Sequence, residues 1–167
     1  MTISMYQASV PVFTRNFQNL IAILRKAEAN AAERKVDTTV LLNFRLAPDM
    51  FTLTRQVQIA TDVAKGCAAR LAGQEPPSWE DKEATMAEVI ARVQKCLDFL
   101  ATFKPAQIDG SEKKAIKLKV GGKERSFEGL AYLQGFATPN VYFHTTVAYA
   151  ILRHCGVPLG KGDFLGE

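Results

Sequence analysis

The chain has 167 residues, 47% of them hydrophobic and 23% charged, with 21 basic against 17 acidic side chains and a net charge of +4. That is the length of one domain, expected over residues 1–167, burying roughly 70% of the surface its unfolded chain exposes. No apolar run approaches the ~20 residues that cross a bilayer, and the opening M-T-I-S-M-Y-Q-A-S-V lacks a basic leader followed by an apolar block, so the expected location is the cytoplasm.

The first helix is expected from near Ser4 to about Lys35. Its regular part should begin around Pro11, because proline lacks a backbone donor and suits only a first turn. The stripe Val10, Phe13, Phe17, Leu20, Leu24, Ala27 and Ala31 keeps one face apolar. D-T-T-V-L-L-N-F-R-L-A then breaks the period and reads as a connection. A second helix should open at Ala47-Pro48-Asp49, where proline and an acidic side chain suit a first turn. Its stripe runs Met50, Leu53, Val57, Ala60, Ala64, Cys67 and Leu71, until Gly73 ends it. After the loop Q-E-P-P-S-W, Thr85 and Glu88 form a capping-box pair for a third helix. Its stripe is Met86, Val89 or Ile90, Val93, Cys96 or Leu97 and Leu100, and it ends before Pro105.

Residues 115 to 127, A-I-K-L-K-V-G-G-K-E-R-S-F, alternate apolar and basic side chains around Gly121-Gly122, which marks a hairpin. Lys113, Lys114, Lys117, Lys119, Lys123 and Arg125 crowd this stretch with only Phe127 beside them. Nucleic-acid binding needs such charges on a groove-fitting element with aromatic or hydrogen-bonding readers. A solvated hairpin is the reading, with neither nucleic acid nor membrane as partner. Ser126 should cap a short helix through about Phe136, and a break at Thr138-Pro139 should lead into a last helix from Asn140 to His154, closed by Gly156 and Pro158. Four amphipathic helices and one hairpin make an all-α fold, a four-helix bundle with a short β-hairpin before the last helices.

Sites in bundles are built from inward-facing polar side chains on facing helices. His144 lies on the stripe Val141, His144, Ala148, Ile151, Cys155, with Asn140 one turn before it. On the second helix Asp49, Thr52 and Gln56 flank the apolar stripe. His144, Asn140 and Gln56 together would make a polar cluster in an otherwise apolar core. An imidazole there serves as a metal ligand or base, or as a core histidine satisfied by amide and carbonyl partners. His154, beside Arg153, suits the negative end of its helix. Cys67, Cys96 and Cys155 form no C-x-x-C pair, which argues against a disulfide framework or a thiolate zinc site. Gly160-Lys161-Gly162 lacks the spacing of a phosphate loop and reads as a tail over the bundle end.

P-N-V-Y-F-H-T-T-V-A-Y-A-I-L-R-H-C-G-V-P-L-G-K-G-D-F-L-G, with A-P-D-M-F-T-L-T-R-Q-V-Q-I-A-T-D upstream, resembles an uncharacterised family of unknown function in the DinB-like (YfiT-like) superfamily of metalloenzymes. The resemblance covers the chain from Met5-Tyr6 to Asp163-Phe164 and implies a DinB-type bundle that forms a homodimer. Metal-binding members place one histidine on the second helix and an H-x-x-x-H pair on the last, and they include hydrolases and thiol-dependent transferases. Anchoring on L-R-x-x-G puts His144 at the second histidine of that pair and Asn140 at the first, with Gln56 the nearest polar residue to the third. One imidazole of three remains, and amide oxygens replace donors that nickel, zinc or iron prefer. The expectation is a degenerate pocket centred on His144 that binds a small molecule or is structural, with no tightly held cofactor and at most a weak divalent metal. The alternative is a metal-dependent or thiol-dependent hydrolase or transferase using His144 as ligand or base.

Overall fold

The computed structural model describes residues 3–167. Four long helices form the bundle: α1 (Val10–Glu33), α3 (Leu53–Leu71), α4 (Met86–Ala101) and α7 (Thr138–His154). Between them lie the short α2 (Thr38–Leu42), α5 (Pro105–Ile108) and α6 (Gly129–Tyr132), and α8 (Lys161–Leu165) follows α7. Strands β1 (Ala115–Val120) and β2 (Lys123–Glu128) pair antiparallel, Ala115 opposite Glu128 and Val120 opposite Lys123, about the left-handed Gly121 and Gly122. The fold is the expected all-α bundle with one hairpin. No helix among the described residues is long and apolar enough to cross a membrane.

The α1 stripe is buried at all seven expected positions, and Pro11 sits in its first turn after a looser turn at residues 5–9. Several expected boundaries move. The connection after α1 contains α2, because the Asp37 carboxylate accepts from Thr39 N at 2.8 Å and caps it. The second long helix begins at Leu53 rather than at Ala47-Pro48-Asp49: Thr52 is its cap, accepting from Arg55 N, while Leu53 N is tied back to Phe44 O. Asp49 is accordingly exposed and outside the helix. Thr85 and Glu88 make the expected reciprocal capping box. Ser126 does not cap; it is paired in the hairpin, and α6 starts after Glu128.

Thr138-Pro139 is not a break. Helix runs from Gly129 to His154, and a π turn at Leu133–Ala137, in which Thr138 N reaches Leu133 O, carries the chain through the proline. The glycine-rich tail lies along α1 rather than over the bundle end. Asn19 Nδ2 donates to Phe164 O and Arg15 donates to Leu165 O, both at 3.0 Å, and Lys26 pairs with Asp163.

Helix directions follow from the cross-contacts. Tyr132 meets Arg70 and His144 meets Gln56, so α7 is antiparallel to α3. Thr61 on α3 meets Arg92 and Cys96 on α4, and strap residues 72–85 return beside the start of α3, where Asp81 pairs with Arg55 and Glu83 accepts from Gln58. Thus α3 and α4 run the same way, and the strap must retrace the roughly 28 Å of α3.

One side chain fastens that strap. Arg92 is 3% exposed; its Nε donates to Thr61, Nη1 to Glu80 O and Glu83, and Nη2 to Asp62, all at 2.9–3.1 Å, and Nη2 forms an ion pair with Asp81 at 3.0 Å. Burial opposes its charge, but Asp62, Glu83 and Asp81 outweigh burial and hold the pKa above the ordinary value. The Trp79 ring lies against this cluster, with Lys65 Nζ 4.3 Å and Lys95 Nζ 4.7 Å from its centroid.

Arg92→Ala should destabilise the fold by about 3 kcal/mol, the low end for breaking a buried ion pair because Asp62 and Asp81 keep some solvent; urea unfolding reads this. Gly129→Ala should cost about 1–3 kcal/mol, because a Cβ there would stand 1.9 Å from Ser111 O. Gly135→Ala, whose Cβ meets nothing within 4 Å, is the control and should not lower the urea midpoint.

Candidate functional site

The first turn of α3 sets up the site. Thr52 caps the helix, and one turn later Gln56, 1% exposed, donates from Nε2 to Phe51 O at 3.2 Å. That carbonyl can only accept, so the end of the amide facing away from it is Oε1. His144 Nδ1 lies 2.6 Å from this oxygen. Two bare acceptors cannot share that distance, so Nδ1 carries the hydrogen and the neutral ring keeps its lone pair on Nε2. No described residue hydrogen-bonds to Nε2.

His144 is 8% exposed, and its pKa is lowered from 6.5, first by burial and then by the nearby Arg55 charge. Arg55 itself is held by Gln58 at 3.1 Å and by Asp81 of the strap, which joins the site's electrostatics to the Arg92 cluster. The Phe143 ring stands edge-on to the imidazole at 5.2 Å between centroids. Phe143 and Phe51, flanking the pair in sequence, are both more than half exposed.

Of the three expected site residues, His144 and Gln56 meet. Asn140 does not join them: its Nδ2 donates to Phe136 O at 2.6 Å, one turn back and beside the π turn. Of the second-helix flank Asp49, Thr52 and Gln56, only Gln56 turns inward. His154 lies exposed in the last turn of α7 with its ring against Phe44. Cys67 and Cys96 are fully buried, and burial pushes the Cys96 thiol up to about 12 and the Cys67 thiol upward as well. Burial also raises Cys155, against the opposing Arg34. None of the three is poised as a thiolate.

The donors do not fit a three-imidazole metal centre. They comprise one imidazole and two carboxamides, with Gln56 Oε1 committed to His144 and Asn140 turned to its own helix. Among the described residues no group of three His, Cys, Asp or Glu side chains could hold a metal ion. Sequence reasoning missed Arg55 and the Arg92 cluster. The signal for Arg92 was present, a guanidinium three residues after Val89 and four before Cys96, on the stripe that α4 buries.

Residues 5–165 match the family described as "Domain of unknown function (DUF1993)". A solved structure, the crystal structure of a DinB family member protein from Shewanella denitrificans, superposes with a TM-score of 0.87 at 44% identity, covering 97% of this chain and 92% of that one. No curated protein matches. A match over nearly the whole length, with a DinB-type bundle beneath it, makes this chain a member of the DUF1993 family.

Proposed function

We propose that the protein is a small-ligand-binding bundle whose DinB-type pocket, centred on His144 and Gln56, works without a tightly held metal. The observation that carries this reading is the 2.6 Å contact between His144 Nδ1 and Gln56 Oε1. It commits the amide oxygen to the imidazole and leaves Nε2 as a fixed, uncharged acceptor. A ligand that donates a hydrogen bond, through N–H or O–H, is the natural partner for that nitrogen. Phe143 supplies apolar surface beside it, and Asn140 shapes the helix through Phe136 rather than contacting the ligand. A homodimer is the assembly that the family resemblance supports.

A second reading, a hydrolase or transferase with Nε2 as base or ligand, draws on the same free nitrogen. Burial and Arg55 depress its basicity, which favours accepting a hydrogen bond over taking a proton at neutral pH.

Protein purified without a histidine tag should carry far less than one equivalent of zinc, nickel or iron. His144→Ala should chiefly destabilise the fold by ~1–3 kcal/mol, by stranding Gln56 Oε1. A near-stoichiometric metal that disappears in His144→Ala would overturn the proposal.

The imidazole should titrate below 6.5 and carry its neutral-state hydrogen on Nδ1, both readable from long-range ¹H–¹⁵N spectra. Because the folded pKa is depressed, the contribution to stability is full above 6.5. It is lost as pH falls from 6.5 through the folded value, where the unfolded chain takes up the proton first. His144→Gln should flatten that part of the stability profile; an unchanged slope would locate the pH dependence elsewhere.

A further inference from the structure

At the end of the bundle where α1 and α7 both stop, α2 borders a hollow of about 200 Å³. Ala31 lines it from α1, Val36, Val40, Leu41 and Phe44 from α2 and its flanks, and Cys155 from the end of α7. An engineered cavity of about 150 Å³ with a comparable apolar wall takes up benzene. The hollow therefore suits a small apolar body rather than a drug-sized one.

Arg34 gives the hollow a sign. Its Nη1 donates to Cys155 O at 3.0 Å and to Asn30 Oδ1 at 3.2 Å, which fixes the guanidinium at the hollow that it lines. Those bonds use one nitrogen, so Nη2 and Nε keep their donors, and the side chain is exposed. Nothing in the lining opposes an anion. Among the described residues no acidic side chain lines the hollow, and Asp37, next to Val36, is turned to the cap of α2. Cys155 is half-buried, and burial raises its thiol above the ordinary range, so it stays uncharged at neutral pH.

We propose that this hollow binds a small monocarboxylate with a compact apolar body, of the size of phenylacetate or hexanoate. The body lies against Val36, Leu41 and Phe44, and the carboxylate meets Arg34. The site shares no residue with the His144–Gln56 pair and does not depend on the reading of it.

A ¹H–¹⁵N NMR titration with phenylacetate and hexanoate tests it. At least one of them should bind with a dissociation constant of about 1 mM or tighter, the scale for a ligand of about ten heavy atoms. Binding by only the aromatic or only the aliphatic acid supports the proposal and assigns the shape of the body. The matching alcohol, 2-phenylethanol or 1-hexanol, should bind about threefold more weakly or worse, since it lacks the charge that Arg34 meets. With ligand at about four times its dissociation constant, about one site in five is empty, and N-ethylmaleimide should label Cys155 about fivefold more slowly. Cys67 and Cys96 are fully buried and do not compete for the reagent. Val40→Glu, at an exposed position, puts a negative charge beside the hollow and should weaken carboxylate binding about fivefold or more in a protein that melts normally. Arg34→Met should erase the preference for acid over alcohol, and His144→Ala should leave binding unchanged. No binding of either acid to the unmodified chain would overturn the proposal. So would equal binding of the alcohol, unslowed labelling of Cys155, an affinity unchanged in Val40→Glu, or loss of binding in His144→Ala.

Discussion

The buried guanidinium of Arg92 is the constraint around which the rest of the bundle is arranged. Two consecutive long helices that run the same way need a crossover the length of a helix, and such a segment has no ladder of its own hydrogen bonds. Here the strap is fixed from beneath, by a charge on α4 that reaches Asp62 on α3 and Asp81 and Glu83 on the strap. Removing water from one guanidinium is tolerable because three carboxylates and two neutral oxygens surround it, so that each of its nitrogens has a partner. The relative placement of α3, α4 and the strap is then a single electrostatic arrangement rather than three separate packings.

That arrangement extends to the candidate site. Asp81 neutralises Arg55, and Arg55 is the charge that His144 feels. Burial is the larger cause of the imidazole's resistance to protonation, and the strap bears on the smaller one through Asp81 and Arg55 without touching the ring. Gln56 complements it, since a carboxamide anchored at one end by a backbone carbonyl fixes which nitrogen of the ring is bare. Where the resemblance implies imidazoles, this chain holds one imidazole by an amide through Nδ1, and Nε2 has no hydrogen-bond partner among the described residues.

Helix faces were legible in the sequence because burial has a period. All seven α1 stripe residues are inside, and His144 faces inward as its spacing required. Capping chemistry was legible where two residues act reciprocally, as at Thr85 and Glu88, and misleading where proline and an acid merely resemble a first turn, as at Pro48-Asp49. Asn140 shows the limit for the site. Its position one turn from His144 is correct, yet a carboxamide beside a proline-containing turn finds a nearer acceptor in its own backbone, and spacing carries no information on that competition. The Arg92 cluster was hidden for a related reason: its carboxylates lie largely on a strap without periodicity, so only the charge on the α4 stripe pointed to it.

The π turn before α7 also sets phase. Tyr132 and His144 are twelve positions apart, and in an uninterrupted α-helix they would point about 120° away from one another. Both nevertheless contact α3, through Arg70 and through Gln56. The wide turn at Leu133–Ala137 takes up one residue without advancing the helix by its usual angle, leaving the two side chains about 20° apart. A one-residue insertion is thus the gear tooth that aligns the imidazole with its amide. Relatives lacking it would bring a neighbour of His144 to the same spot, so the chemistry presented at this position can be exchanged by changing the length of the helix and not its side chains.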